Sequence, residues 1–391
     1  MRMPRIQLEA GYGMKEFYSP GYETFFGYYD VTPISTDEKL ILASRIRCSE
    51  GGRPSARGHI DVGYFRINDD NTQYYKIGDS SSWCWQQGCR LQWYPQLASE
   101  DNKVLYNVMV NGSHGAVLAD LASGRIIEHY ERAIYSVSPD GSTGISLNFS
   151  RLQRCRPGYG YSDLPDTTVS DKVPANDGLW SIEMASGKTR QIFSLAQIAQ
   201  LQSRPTMVGA EHYFNHILWN PDSSRFLFLH IWINDGKRRS RLITADHNGG
   251  SLCILYNEDH VSHHCWLGPK RILAYSTHKD TGTRFHIYQD GVGRVEKFGG
   301  DVLTLDGHPS QRPNKNQILL DTYPNANFEQ ELFIYDRSSV KKKPVGRFFN
   351  PIRFSGEFRC DLHPRWSPSG DLICIDSAAS GVRKIYVIGN F

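Results

Sequence analysis

A chain of 391 residues with 39% hydrophobic and 12% aromatic content can bury a large core. Its 44 basic and 41 acidic residues leave a formal charge of +3, too small a surplus for a nucleic-acid-binding surface. No apolar segment follows Met1-Arg-Met-Pro-Arg5, so neither a signal peptide nor a membrane span is expected, and the expected location is cytoplasmic.

Along the chain, a turn that is usually opened by proline precedes an apolar run seven times. Tyr28 to Pro33 leads into Leu40-Ile-Leu42, Arg90 to Pro95 into Val104-Leu-Tyr106, and Ile134 to Pro139 into Gly144-Ile-Ser-Leu147. His216 to Pro221 leads into Phe226-Leu-Phe-Leu229, and His263 to Gly268 into Ile272-Leu-Ala-Tyr275. His308 to Pro313 leads into Ile318-Leu-Leu320, and His363 to Pro368 into Leu372-Ile-Cys-Ile375. Proline presets φ at such turns and glycine permits a positive φ. Trp93, Trp219 and Trp366 stand two residues before the turn proline. By the same rule Trp266 puts Gly268, not Pro269, in the fifth turn and His263, not His264, five residues back.

Successive turns are 62, 44, 82, 47, 45 and 55 residues apart. Short strands at such a period predict an all-β, seven-bladed β-propeller, one four-stranded sheet per blade, with residues 1–391 as a single domain. Third strands are expected at Gly115–Asp120, Gly178–Glu183, Arg241–Asp246, Phe285–Tyr288, Glu331–Asp336 and Lys384–Ile388. The last of these leaves its blade one strand short, which the N-terminal segment can supply. Only Ser194–Gln202 reads as a helix, with serine as N-cap. Lys341-Lys-Lys343 reads as a solvated turn. The eight cysteines form no CxxC pair, and Cys253 and Cys374 read as buried, in keeping with a reducing compartment.

Two stretches fall outside the repeat: a Gly/Arg loop at 50–60 and a long insertion at 151–177. The insertion reads as a structureless loop, either a mobile linker or part of a binding site. Its Arg151, Arg154 and Arg156, close to Tyr159 and Tyr161, suit an acidic sugar through bidentate carboxylate contacts and stacking.

In a propeller the innermost strands line a central channel, so one position counted back from each first turn forms a ring at one depth. The position five back reads Tyr28, Arg90, Ile134, His216, His263, His308 and His363. Four histidines in consecutive blades mark a site rather than a packing layer. Asp361 shares a strand face with His363, because residues two apart point the same way. With His308 from the neighbouring blade they make two imidazoles and a carboxylate. Such a triad suits a divalent transition ion such as Mn, Fe or Zn. His216 is expected within reach of it.

The phrases His216-Ile-Leu-Trp-Asn-Pro-Asp222 with Phe228-Leu-His230, His263-His-Cys-Trp266, Gly307-His308 and Leu362-His-Pro-Arg-Trp-Ser-Pro-Ser-Gly370 resemble the oligogalacturonate lyase family. These are cytoplasmic seven-bladed propellers that cleave short uronate oligosaccharides by β-elimination; ulvan lyases of related architecture are similar. The resemblance covers residues 205 to 391, and the N-terminal half only as a propeller pattern. It implies a manganese ion, with zinc or calcium as alternatives, held where the family has three histidines and a glutamine. By position these fall on His308, Asp361 in place of one histidine, and His363. The glutamine falls at Phe358 or Arg359, where none exists. The resemblance further implies His263 as the proton-transferring histidine and Arg241 as its arginine partner, with Arg239 as the neighbour two along the same strand.

Elimination across C4–C5 of a uronate needs the carboxylate neutralised, the C5 proton removed and the leaving O4 protonated. His263 is the expected base, since a neutral imidazole near pH 7 can take the proton. Tyr28 and His216 are the candidates beside O4. Arg90, Arg359 and Arg239 are expected to bind substrate. The partner so implied is an acidic oligosaccharide or polysaccharide. A propeller glycoside hydrolase or other sugar-modifying enzyme, or a non-catalytic binding propeller, are the competing readings.

Overall fold

Each predicted turn joins two antiparallel strands, and the strands gather into seven sheets around one axis. The computed structural model describes residues 5–48, 58–69, 73–95, 102–256 and 258–390. Most of the Gly/Arg loop at 50–60 lies outside these residues. Blade 1 runs Tyr22–Phe25, Leu40–Arg47, Ile60–Arg66 and Tyr75–Ser80, and blade 4 runs Glu211–Trp219, Arg225–Asn234, Lys237–Asp246 and Cys253–Tyr256. All six expected third strands take that place, for example Ser113–Asp120 in blade 2 and Lys384–Gly389 in blade 7. No helix among the described residues is long and apolar enough to cross a membrane.

Ring closure uses the N-terminal segment, as the short last blade requires. Gly13–Phe17 pairs antiparallel with Lys384–Gly389 from Gly13↔Gly389 to Phe17↔Ile385. The segment before it does something the sequence pattern does not announce: Ile6–Leu8 adds a fifth strand to blade 6, along Lys341–Phe349. The lysine run is therefore the start of an outer strand rather than a turn, and Lys342 pairs with Glu331.

The tryptophans near the turns have a common task. Trp93 donates its indole N–H to the carbonyl of Pro33, Trp219 to Ser136, Trp266 to Leu218 and Trp366 to Ser310. Each bond ties an innermost strand to the segment at the same place in the preceding blade. Trp266 does so with Gly268 in the turn, which is why it belongs to the same set as the other three.

The insertion at 151–177 departs from expectation. A helix, Phe149–Cys155, opens it, capped by the Asn148 side chain. It is ordered because polar groups are paired as they are buried. Arg151 is fully buried and donates to the carbonyls of His212, Thr168, Asp171 and Lys172, with Glu211 as its counter-ion. Arg154 pairs with Asp166 and Glu211. Two of the three arginines read as sugar ligands thus hold the insertion together. The expected helix forms at Leu195–Gln200 with a capping box from Ser194 to Gln197. Among the thiols, all free, Cys374 is buried while Cys253 is only partly so.

Candidate functional site

Rings from six segments meet inside the channel. Tyr28 fills its middle: its ring lies 5.0 Å from His216, stacked at 12°, and 4.7 Å from His363, with Tyr159 and His308 each at 6.0 Å. His263 and His308 are 4.1 Å apart, and His308 and His363 4.5 Å. The predicted ring is real in blades 1, 4, 5, 6 and 7. In blade 3 it is Tyr135 rather than Ile134 that joins it, because Ile134 turns into the apolar layer with Leu105 and Ile182.

The slot has a backbone signature. Arg90, His216 and His363 carry φ of +56°, +54° and +44°. Non-glycine residues in that region cost on the order of 1–3 kcal/mol each and persist where the surroundings over-determine them. At His216 the cause is visible: the strand register slips between Asn215 and Leu218. Two glycines make room beside the site. Gly27 passes Gln87 so closely that a Cβ would meet its carbonyl carbon at 2.9 Å, and Gly307 lies where a Cβ would meet the Asp321 carbonyl oxygen at 2.1 Å.

Those close approaches set the tautomers of two histidines. His363 Nδ1 lies 2.9 Å from the Gly27 carbonyl, so it carries the proton and leaves Nε2 with a lone pair. His308 Nδ1 lies 2.9 Å from both oxygens of Asp321, with the same consequence. Both Nε2 atoms are buried and have no hydrogen-bond partner among the described residues. One donor atom each from His308, Asp361 and His363 lie within 4.8 Å of one another. Burial works against charge on each group, and outcomes differ. Asp361 is held below the usual carboxylate range by Arg359 and His308, His363 is kept neutral, and His308 is raised because Asp321 outweighs its burial. With the Nε2 proton of His308 given up, two convergent lone pairs and an ionised carboxylate, each imidazole fixed by a second hydrogen bond, fit a divalent cation.

His263 is built differently. Its Nδ1 faces Asp306 Oδ1 at 3.1 Å, and the other Asp306 oxygen accepts from Ser262 at 2.8 Å. Burial lowers its pKa, and Asp306 only partly offsets this, so the ring is neutral with Nε2 free to accept a proton. Asp306 also lines a cavity of about 590 Å³ together with Tyr323, Glu331 and Arg347. His264 points elsewhere: Nδ1 meets the Ser262 carbonyl, Tyr29 accepts its backbone N–H, and burial drops it to about 4.

The arginines sort sharply. Arg359 is at the site, its Nε donating to Asp361 at 2.7 Å and its Nη2 to Tyr159. Arg90 is spent on structure, forking onto both oxygens of Asp30 and donating to the Tyr135 carbonyl. Arg241 lies away from the channel, where it donates to His230 and to the Ile198 and Leu201 carbonyls at the end of the second helix. Arg239 faces Asp259 at 3.4 Å. The expectations for Arg90, Arg241 and Arg239 are therefore corrected, since none has a guanidinium face turned to the channel histidines. The Arg156 guanidinium, by contrast, lies over the Tyr159 ring at 5.1 Å and has no hydrogen-bonding partner among the described residues. Phe358, one of the two positions on which the family's glutamine falls, is packed between Trp85 and Phe354. His216 stands outside the donor triad, with Nε2 turned to Asn215 and Tyr28.

Fold and site together define a seven-bladed propeller whose channel holds a histidine-rich, cation-ready centre. No protein-family model matches the chain, and no curated protein matches it. Among solved structures it is similar to an oligogalacturonate lyase in complex with manganese, with TM-score 0.68 and 13% identity over 96% of this chain and 92% of that one. It is also similar to an oligogalacturonate lyase from Vibrio parahaemolyticus, with TM-score 0.62 and 14% identity over 97% and 96%. The tricorn protease aligns at TM-score 0.54 and 12% identity, over 95% of this chain but 34% of its own. The chain thus has the propeller fold of oligogalacturonate lyases.

Proposed function

We propose that this protein is a lyase that cleaves an acidic, uronate-containing oligosaccharide or polysaccharide by β-elimination. The observation that carries the reading is the pair of buried, unpartnered Nε2 atoms of His308 and His363 beside ionised Asp361, one ring away from a neutral histidine on a carboxylate. His308, His363 and Asp361 would hold a divalent cation, manganese for preference, which when bound supplies charge neutralisation at the uronate carboxylate. Two nitrogens and one oxygen suit manganese or zinc better than calcium, which favours an all-oxygen shell.

The protein groups divide the remaining work. His263 takes the C5 proton at Nε2, and Asp306 stabilises the imidazolium that forms. Arg156, unpaired over Tyr159, binds a carboxylate of the acidic chain, and Arg359 keeps Asp361 ionised at the bottom of the site. Tyr28 and His216 flank the leaving oxygen. Burial holds Tyr28 far above the ordinary tyrosine range, so it is protonated and serves as a donor. The expected location is the cytoplasm, where short imported saccharides are consumed.

The test is metal content of the purified protein, followed by an absorbance screen with polygalacturonate, ulvan and their oligomers. Elimination yields a conjugated, ultraviolet-absorbing unsaturated uronate. Reducing ends without that absorbance would mean hydrolysis, and no product from any uronate polymer would sink the proposal.

A further inference from the structure

The channel contains a relay of hydrogen bonds that fixes a fourth histidine, with the same tautomer as the base but with Nε2 rather than Nδ1 against its protein partner. Gln87 Nε2 lies 2.8 Å from the Tyr135 hydroxyl and 3.4 Å from Asn215 Oδ1, and donates to both. Having accepted from Gln87, Tyr135 gives its own proton to Asn215 Oδ1 at 3.2 Å. With its oxygen held by two donors, Asn215 must turn its amide nitrogen to His216, 3.3 Å from Nε2. The Tyr28 hydroxyl faces the same nitrogen at 3.4 Å. An N–H at His216 Nε2 would oppose the N–H of Asn215, so Nε2 accepts and the proton sits on Nδ1. That Nδ1 is buried and has no acceptor among the described residues. A buried donor without a partner costs roughly 1–3 kcal/mol, which a bound ligand's oxygen can return.

We propose that His216 is a neutral Nδ1–H donor that hydrogen-bonds a saccharide oxygen gaining negative charge, and that Gln87, Tyr135 and Asn215 are positioning residues that set its tautomer. Its oxygen partner is the leaving O4, an assignment that rests on the lyase reading above. His216 and His263 lie 6.2 Å apart, centre to centre, so donor and base can face one sugar unit. In the step, the C5–H bond breaks and its proton goes to His263 Nε2. The C–H electron pair becomes the C4–C5 double bond, and the C4–O4 pair leaves on oxygen. His216 stabilises that oxygen while keeping its own proton, and the imidazolium of His263 or water then protonates it. A donor aimed at developing charge acts through the difference between ground and transition state, so its loss appears in kcat.

The experiment begins with nitrogen-15 NMR on histidine-labelled protein. His216 is expected to show a protonated Nδ1 and a pyridine-like Nε2, the reverse of the tautomer that free histidine prefers. Asn215→Asp replaces the amide donor by an acceptor and is expected to move the proton to Nε2. His216→Asn keeps an N–H near the Nδ1 position and His216→Gln near Nε2. The glutamine variant is expected to lose about 10²–10³-fold in kcat, the range for one oxyanion donor, and the asparagine variant clearly less. An Nε2–H signal in the wild-type protein, or a glutamine variant at least as active as the asparagine one, would overturn the assignment. An Nδ1–H signal in a protein that eliminates no uronate would retire the lyase reading while leaving the tautomer standing.

Discussion

Asp306→Asn is the substitution that asks most of the proposed base. Asp306 Oδ1 accepts from the Gly307 backbone N–H at 3.0 Å as well as facing His263 at 3.1 Å. An asparagine must therefore put its carbonyl oxygen in that place and its amide nitrogen toward Ser262, whose hydroxyl can accept. The tautomer of His263 survives and only the carboxylate charge is lost. Hydrogen bonds to charged groups contribute roughly 1.5–3 kcal/mol against about 0.5–1.5 for neutral ones, a difference on the order of 1–1.5 kcal/mol. Applied to the transition state, this lowers kcat by about 5–15-fold, whereas His263→Ala is expected to lose roughly 10²–10⁴-fold. Because Asp306 raises the His263 pKa, its removal lowers that pKa, and the acid limb of kcat/KM moves to lower pH. The assay is the initial rate of ultraviolet absorbance at saturating substrate and metal. Unchanged turnover in Asp306→Asn would mean that His263 never becomes cationic, which refutes its role as base. His264→Ala is the control, expected to cost stability rather than turnover, since His264 is buried among Ser262 and Tyr29.

Replacing His363 by Asn suits its left-handed backbone and keeps a donor for the Gly27 carbonyl, but removes Nε2. Metal affinity by titration should fall by more than ~10²-fold, beyond what outer-shell partners cost, with the unfolding midpoint little changed; full retention of metal would misplace the site. Trp366→Phe deletes one inter-blade hydrogen bond to Ser310 and should lower stability in urea by about 1 kcal/mol, and an unchanged midpoint would remove the stapling role. His212, His230, His264 and His286 are all depressed by burial, so the unfolded chain binds more protons once pH falls below about 6.5. These four groups should make stability decline from pH 6.5 to 5.5, at no more than ~1.4 kcal/mol per pH unit for each, while His308, raised by Asp321, works in the opposite direction above 6.5; a flat profile from 6.5 to 5.5 would contradict it.

The propeller was legible because its turns repeat: proline or glycine, a tryptophan two residues earlier and an apolar run afterwards recur without depending on distant contacts. The clustering of the channel histidines was legible for the same reason, since one slot per blade carries His216, His263, His308 and His363. What stayed hidden was everything set by pairing between blades. Arg90 and Arg241 look like free cations in the sequence, yet their partners, Asp30 and the carbonyls of Ile198 and Leu201, are 60 or about 40 residues away. Asp321 ends an apolar strand and Asp306 sits two residues before His308, positions that read as turn chemistry until the fold brings each to a histidine. Ile134 misled because the slot shifts by one residue in blade 3, and Cβ direction follows register, not count.

The role of each channel histidine is decided by the atom behind it rather than by the slot it occupies. Asp321 behind His308 and the Gly27 carbonyl behind His363 both fix Nδ1–H, and the freed lone pairs converge on Asp361. Asp306 behind His263 fixes the same tautomer, but the freed lone pair is not one of the three donor atoms that converge around Asp361. Asn215 behind His216 is a donor, so Nε2 is the accepting atom there; the tautomer is again Nδ1–H, but the ring meets its protein partner through Nε2, and the atom left over is a donor instead of an acceptor. In the proposed reading, one repeated residue type thereby supplies two cation ligands, a base and an electrophile within a few ångströms. Exchanging the partners should exchange the roles: a carboxylate at position 215 makes His216 resemble His263, and no change to the histidines themselves is needed.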